Sequence, residues 1–276
     1  MIRLNNQTFS QPATFPDGTQ KLSCIMSEWD LMQIPSVVDI TWNYEREDEL
    51  VTLYFLVNHL RDLSVDVINL NMPYIPNARF DRTQNKDEVF TLKYFAKFIN
   101  DLHFASVKVL DPHSHVSEAL FDRLHVQQPN VFIEQALENI YEMQAEEEAP
   151  ILFFPDEGAM KRYASNPITK DRQVVFGIKQ RDWKTGQILN LQLAGDVAQL
   201  QNKPVLIIDD ICSRGGTFYH SAKALKEAGA GPIYLYVSHC ENTILEGELL
   251  SSGYINRVYT TDSIFTKEHP MITVFS

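Results

Sequence analysis

The stretch VLIIDDICSRGGTF, residues 205–218, constrains the fold more than any other part of this sequence. An apolar run of strand length ends in two adjacent aspartates, Asp209 and Asp210. A turn with two glycines follows, and a helical pattern begins at Phe218. A buried strand that passes through a tight turn into a helix is typical of a parallel sheet with helical crossovers. The stretch therefore predicts an α/β fold with polar side chains at a strand end.

The same alternation of strands and helices continues along the chain. Strand-like apolar runs occur at 65–70, 107–110, 151–154, 173–178, 204–209, 233–239 and 255–261. Helical patterns occur at 48–62, 85–103, 160–165, 218–230 and 243–253. The second of these opens with Asn85 and Glu88, which have the spacing of a helix-capping pair. Residues 182–203 are polar and weakly patterned, which indicates a long mobile loop or a hairpin.

An acidic segment, QAEEEAP at 144–150, separates two blocks of alternating elements. The chain has 276 residues, of which 44% are hydrophobic, so it is long enough to bury two cores. We therefore expect two α/β domains, residues 1–125 and 126–276, each with a mostly parallel sheet flanked by helices.

Charge and cysteine content argue against several classes of protein. The formal net charge is −12 and no block rich in Lys or Arg occurs, which disfavours binding to nucleic acid or to anionic membranes. The chain has three cysteines, Cys24, Cys212 and Cys240, and no two of them form a C-x-x-C motif. We therefore expect neither a disulfide framework nor a zinc site. The N-terminal residues lack the apolar core of a signal peptide, and no apolar run is long enough for a membrane span. We therefore expect a cytoplasmic protein.

The segment Ser213–Thr217 has the chemistry of an anion site. Backbone N–H groups at a helix N-terminus attract phosphate, glycines allow its close approach, and the two hydroxyls can donate further hydrogen bonds. The carboxylates of Asp209 and Asp210 cannot bind phosphate, but they suit ribose hydroxyls or a magnesium ion with its waters. A 5-phosphorylated ribose satisfies both requirements. The spacing differs from that of a Walker A loop.

This stretch resembles the phosphoribosyl-diphosphate loop of type I phosphoribosyltransferases and of ribose-phosphate diphosphokinases, the PRPP synthetases. Five other stretches resemble the synthetases in order: FPDGT at 15–19, PYIPNARFDRTQ at 73–84, VKVLDPHSH at 107–115, FFPDEGAMKRYA at 153–164 and GIKQRDW at 177–183. A simple phosphoribosyltransferase has one such domain and lacks the first four stretches in this order. The resemblance therefore implies a divergent synthetase with two phosphoribosyltransferase-type domains.

The resemblance also implies a reaction and the residues that serve it. Such an enzyme uses Mg²⁺, transfers diphosphate from ATP to the anomeric hydroxyl of ribose 5-phosphate, and releases AMP. By resemblance, the ATP-binding residues are Phe15, Asp17, Gly18, Arg79, Phe80, Asp81 and Arg82. The catalytic residues are His113, Lys179 and Arg181, and the residues linked to magnesium are His113 and Asp156. The residues that bind the ribose phosphate are Asp209, Asp210, Ser213, Arg214, Gly215, Gly216 and Thr217.

Lys179 and Arg181 stand at the entrance of the weakly patterned segment, where they can fold over the transferring diphosphate and stabilise its charge. The family further implies a homo-oligomer, a dimer or a hexamer, in which Asp17 contacts adenine across a subunit boundary. Arg162 is equally suited to a salt bridge and to the site, and His115 has no role that the family implies.

Several positions depart from the family pattern. Thr19 replaces a glutamate, Phe80 replaces a glutamine, and S-R-G-G-T replaces D-T-A-G-T or D-T-G-G-T, so that Arg214 adds a cation to the phosphate loop. Some divergent relatives use ADP-ribose in place of ribose 5-phosphate, and an added cation suits its bridging diphosphate. Ribose 5-phosphate and ADP-ribose thus remain competing acceptors. Two other functions stay open, a phosphoribosyltransferase that consumes PRPP and a non-catalytic regulatory relative.

Overall fold

The computed structural model describes residues 1–9, 12–23, 35–144, 149–163, 166–170, 172–181 and 188–276, with the backbone alone at 179–181 and 188–190. The chain forms two compact units, Met1–Gln127 and Gln128–Ser276. Both units combine parallel-rich sheets with helices, so the predicted α/β class is confirmed. Within the described part of the chain, no helix is long and apolar enough to cross a membrane.

The first unit is built on a six-stranded sheet. Its strands are Ile2–Leu4 (β1), Gln7–Thr8 (β2), Val37–Trp42 (β5), Val67–Asn71 (β6), Ser106–Leu110 (β7) and Leu124–Gln127 (β8), and a separate hairpin comprises Ala13–Thr14 (β3) and Gln20–Lys21 (β4). Its helices are Glu49–Asp62 (α1), Thr91–Asp101 (α2) and His115–Leu120 (α3). The sheet order is β2-β1-β5-β6-β7-β8, in which β5 to β8 run parallel and β1 pairs antiparallel with β5.

The second unit is built on a seven-stranded sheet. Its strands are Ile151–Phe154 (β9), Val174–Arg181 (β10), Ile188–Gly195 (β11), Val205–Cys212 (β12), Ile233–Cys240 (β13), Arg257–Thr261 (β14) and Ile272–Phe275 (β15). Its α-helices are Asn130–Met143 (α4), Glu157–Tyr163 (α5) and Gly216–Glu227 (α6). The order is β11-β10-β9-β12-β13-β14-β15, and all neighbours are parallel except β10 and β11.

The sheet of the second unit is covered on both faces. Along β9, Ile151 and Phe153 pack into one apolar cluster, whereas Leu152 and Phe154 pack into another. The central strand β12 divides its apolar residues in the same way. Burial on both faces explains why VLII at 205–208 is continuously apolar rather than alternating. Such a strand leaves its polar residues at the carboxyl end.

Two helix predictions need correction. The pattern at 243–253 predicts a helix, but the structure has only a 3₁₀ turn, Asn242–Glu246, because the chain becomes extended at Gly247. The helix predicted from residue 85 begins at Thr91. Glu88 does accept hydrogen bonds from Asn85, but this pairing stabilises a turn that precedes the helix.

The polar segment at 182–203 contains one arm of a hairpin, as predicted. Strand β11 pairs antiparallel with β10, and the register shifts between Gln180 and Arg181. A 3₁₀ turn, Val197–Leu200, follows. Residues 182–187, the first part of the segment predicted as a mobile loop or a hairpin, lie outside the described residues.

Candidate active site

The phosphate loop, residues 213–217, joins the carboxyl end of β12 to the N-terminus of α6. Gly215 occupies the N-cap position with a left-handed φ of 80°. A side chain there would be strained, and its Cβ would lie 2.9 Å from the Cβ of Leu249. Because glycine provides no capping side chain, the first N–H groups of α6 are available to an anion. This geometry is compatible with a phosphate, and the phosphate site stays a prediction from the sequence.

Asp209 and Asp210 have different environments in the second half of β12, which continues to Cys212 beyond the predicted strand end at 209. Asp210 is 3% exposed, and its Oδ1 lies 2.7 Å from Nη1 of Arg162 on α5. The backbone N–H of Asp210 donates to Oδ1 of Asp209, 3.0 Å away. Asp210 therefore has a partly buried cationic partner, and Arg162 is a salt-bridge residue, one of the two roles that the sequence allowed.

Carboxylates crowd this edge of the sheet. Burial raises the pKa of Asp209 well above its usual range, and the negative charges of Asp210 and Asp156 raise it further. Asp156 follows β9, and its Oδ1 accepts a hydrogen bond from the N–H of Ala159 at 2.9 Å, which caps α5. A divalent cation would relieve this repulsion, and carboxylate oxygens are ligands that magnesium prefers. The structure holds no group of three or more His, Cys, Asp or Glu in metal-binding geometry among its described residues.

A second segment, residues 241–249, lies against the phosphate loop, and we call it the flanking segment. The N–H of Glu241 donates to the carbonyl of Cys212 at 2.8 Å. The hydroxyls of Ser213 and Thr243 are 3.2 Å apart. Sequence reasoning gave this segment to a helix and so missed its role in supporting the loop.

Gly247 brings the backbone of the flanking segment into direct contact with the phosphate loop. A Cβ at this position would lie 1.9 Å from the carbonyl oxygen of Arg214, which is far inside van der Waals contact. We therefore expect Gly247→Ala to lower the free energy of unfolding by about 1–3 kcal/mol, as overpacking does. Gly216→Ala is the matched control, because its Cβ would meet no atom within 4 Å. Chemical denaturation measures both variants, and equal stability would show that the two segments separate freely.

The buried polar group at the ends of β13 and β14 was not predicted. Nδ1 of His239 lies 2.9 Å from Oγ of Ser263, which in turn donates to the carbonyl of Ser238. The hydroxyl of Thr261 donates to the same carbonyl. Two adjacent polar residues inside an apolar strand, Ser238 and His239, could have indicated this group, because buried polar residues need hydrogen-bond partners.

In the first unit, residues 79–82 and His113 belong to loops at the carboxyl ends of parallel strands. The loop after β6 carries Arg79 and Arg82, which are both exposed, and Nε of Arg82 lies 3.8 Å from Asp81. Phe80 is partly buried in the same loop. The loop after β7 carries His113, which is also partly buried. Ligands of open α/β sheets bind at this edge, so the placement suits a nucleotide.

The turn between β3 and β4 carries Phe15, Asp17 and Gly18. Oδ1 of Asp17 accepts hydrogen bonds from the N–H and the hydroxyl of Thr19, at 3.0 and 2.7 Å. These bonds lower the pKa of Asp17, the backbone bond most. Thr19, which departs from the family pattern, thus orients the aspartate that the resemblance assigns to adenine.

The remaining predicted residues are placed only in part. The backbone of Lys179 and Arg181 lies in β10, near the end of its hairpin with β11, and their side chains lie outside the described residues. His115 begins α3, is exposed, and pairs with Glu118 at 2.8 Å. Cys212 is buried, as expected for packing.

No family model matches the chain. Comparison with known proteins finds relatives that match most of its length. The chain is 30% identical over 233 residues to a ribose-phosphate pyrophosphokinase of Campylobacter jejuni, which covers 83% of the chain and 72% of that protein. It is 31% identical over 229 residues to the pyrophosphokinase of the same name from Buchnera aphidicola, covering 80% of the chain and 69% of that protein. A similar protein of Saccharolobus solfataricus is 24% identical over 263 residues, which cover 94% and 86% of the two chains.

The fold also resembles that of a solved protein. The crystal structure of phosphoribosylpyrophosphate synthetase from Mycobacterium smegmatis superposes with a TM-score of 0.74 and covers 96% of this chain and 85% of that one. Sequence identity is 19%, so this likeness concerns the fold.

Proposed function

The chain belongs to the ribose-phosphate pyrophosphokinase family, and we propose that it transfers diphosphate from ATP to the anomeric hydroxyl of a 5-phosphorylated ribose and releases AMP. The observation that carries this proposal is the pairing of strand-end carboxylates with a glycine-rich helix N-terminus in the second unit. A 5-phosphorylated ribose needs N–H donors for its phosphate and, next to them, carboxylate acceptors for its hydroxyls. The named relatives favour this function over a phosphoribosyltransferase and over a non-catalytic protein.

The phosphate loop is proposed to hold the 5-phosphate. The first N–H groups of α6, including those of Gly216 and Thr217, supply donors, and the hydroxyls of Ser213 and Thr217 add two more. Asp209 and Asp210 are proposed to accept hydrogen bonds from the ribose hydroxyls. The ion pair with Arg162 holds the carboxylate of Asp210 and offsets its charge.

The residues proposed to bind ATP are in the first unit. Arg79 and Arg82 are exposed cations suited to the triphosphate, with Phe80 and Asp81 beside them. The turn that carries Phe15, Asp17 and Gly18 is proposed to take adenine, and Asp17 accepts the exocyclic amino group. As the resemblance implies, we propose that this contact crosses a subunit boundary in a homo-oligomer, a dimer or a hexamer.

Transfer needs charge neutralisation at the β-phosphorus of ATP, where the anomeric hydroxyl attacks. Lys179 and Arg181 are proposed to bind the oxygens of the diphosphate and to stabilise the charge that develops there. His113 is proposed to contact the phosphates as well. Magnesium would shield the phosphate charge when bound, and Asp156 and His113 are the residues proposed to hold it.

Removal of the metal gives a direct prediction. We expect excess chelator to abolish formation of AMP, because the phosphate charges are then unshielded, and added Mg²⁺ to restore it. The measurement is AMP release by chromatography, with Ca²⁺ as the comparison ion since it prefers a larger coordination shell. Undiminished turnover in chelator would remove the metal from the proposal.

The acceptor is tested by product mass. The protein is incubated with ATP, Mg²⁺ and either ribose 5-phosphate or ADP-ribose. We expect a sugar diphosphate together with AMP. A protein that forms neither product, but consumes PRPP when a nucleobase is added, would instead be a phosphoribosyltransferase.

A further inference from the structure

An ion pair joins the flanking segment to the phosphate loop. Nη2 of Arg214 lies 3.1 Å from Oε2 of Glu246. Both side chains are mainly exposed, at 72% and 60%. Exposed pairs of this kind contribute at most about 1 kcal/mol to folding. The stability of the fold therefore does not explain why the two charges face each other.

The position of Glu246 is fixed by its neighbours. Gly247 abuts the carbonyl of Arg214, and Thr243 shares a hydrogen bond with Ser213. Leu249 is fully buried beneath Gly215. These contacts hold the backbone at Glu246 beside the phosphate loop, and the ion pair with Arg214 brings its carboxylate to the rim of the loop.

The two charges have opposite effects on an anion in the loop. Arg214 attracts phosphate, whereas Glu246 occupies the guanidinium and adds a negative charge at the rim. A terminal phosphate inside the loop is held mainly by N–H groups. A second phosphate attached to it would extend outward to the rim, toward Glu246.

We propose that Glu246 is a specificity-determining residue that disfavours acceptors whose negative charge continues beyond the 5-phosphate. It acts by neutralising Arg214 and by repelling an outer phosphate. The inference rests on the proposed function, because it assumes that the 5-phosphate binds in the phosphate loop. Ribose 5-phosphate is the favoured acceptor, and a diphosphate-bridged sugar such as ADP-ribose is selected against.

The test compares kcat/KM for ribose 5-phosphate and for ADP-ribose in the wild type and in Glu246→Gln. We expect the ratio to shift toward ADP-ribose by roughly threefold to tenfold, the scale of one like charge removed at a partly solvated site. The shift should shrink at high salt, which screens charges. Glu248→Gln is the matched control, since Glu248 is exposed in the same segment, and its ratio should stay as in the wild type.

A double variant isolates the part that acts through Arg214. In an Arg214→Thr background, Glu246→Gln should shift the ratio less than it does alone. Calorimetric binding of both acceptors provides a readout independent of turnover. An active wild type whose ratio and relative affinities are unchanged in Glu246→Gln would overturn the inference and leave the proposed function standing. A wild type that neither binds nor converts either acceptor would overturn both.

Discussion

Lys179→Ala is expected to lower kcat by about a hundredfold or more, the scale of losing one donor to charge that develops in a transition state. The melting temperature should stay unchanged, because the residue lies near the end of the β10–β11 hairpin. Initial rates of AMP formation at saturating ATP and acceptor measure the effect. Arg181→Ala should behave similarly.

Lys170→Ala is a suitable control for the loss of a lysine. Lys170 is exposed in the same unit and has no part in the proposed site. Its turnover should equal that of the wild type. If Lys179→Ala retains normal kcat, the assignment of Lys179 to charge stabilisation is wrong.

Arg162→Ala is expected to lower the free energy of unfolding by about 3 kcal/mol or more. The substitution removes the guanidinium that now lies 2.7 Å from the buried carboxylate of Asp210, and a buried charge that loses its counter-ion is costly. Replacing Asp210 by Asn in the same protein should recover part of the loss, because the buried negative charge is then absent. Chemical denaturation at neutral pH measures all three proteins.

The adjacent Lys161 provides a matched control in the same helix. Its ion pair with Glu157 is exposed, with both side chains more than three quarters accessible, at 76% and 78%. Lys161→Ala should therefore cost less than about 1 kcal/mol. Equal losses of unfolding free energy in Lys161→Ala and Arg162→Ala would show that burial of Asp210 does not make the Arg162 pair more important for stability than an exposed pair.

The strands of the second unit could be predicted because burial on both faces makes them continuously apolar. The run at 205–208 matched a parallel strand, but β12 continues through Asp209 and Asp210 to Cys212, three residues beyond the predicted end at 209. Gly215 was also informative, since glycine adopts the left-handed backbone of this N-cap position without strain. Local physics determines these features, so local sequence reveals them.

Other features depend on contacts between residues distant in sequence. The helical spacing of apolar residues at 243–253 gave a wrong helix prediction. The apolar Ile244 and Leu249 are buried, but they belong to a 3₁₀ turn and to the segment after it. Helix α4 was missed in the stretch between the predicted domain boundary after residue 125 and the acidic segment that begins at 144. The partners of Asp210 and Arg214 are 48 and 32 residues away, and no spacing in the sequence identifies them.

The short strands near the N-terminus were missed for a related reason. Strand β1 has only three residues and is stabilised by its pairing with β5. Buried and exposed residues alternate along β5. Sequence windows of that length carry too little pattern to distinguish a strand from a turn.

The most direct test of the account follows the diphosphate itself. The protein is incubated with Mg²⁺, ribose 5-phosphate and ATP whose β- and γ-phosphates carry ¹⁸O at their non-bridging positions. The masses of the products are then measured by mass spectrometry. We predict equal amounts of AMP and sugar diphosphate, with all of the label in the sugar product. Formation of ADP, or labelled phosphate released without a sugar diphosphate, would contradict diphosphate transfer.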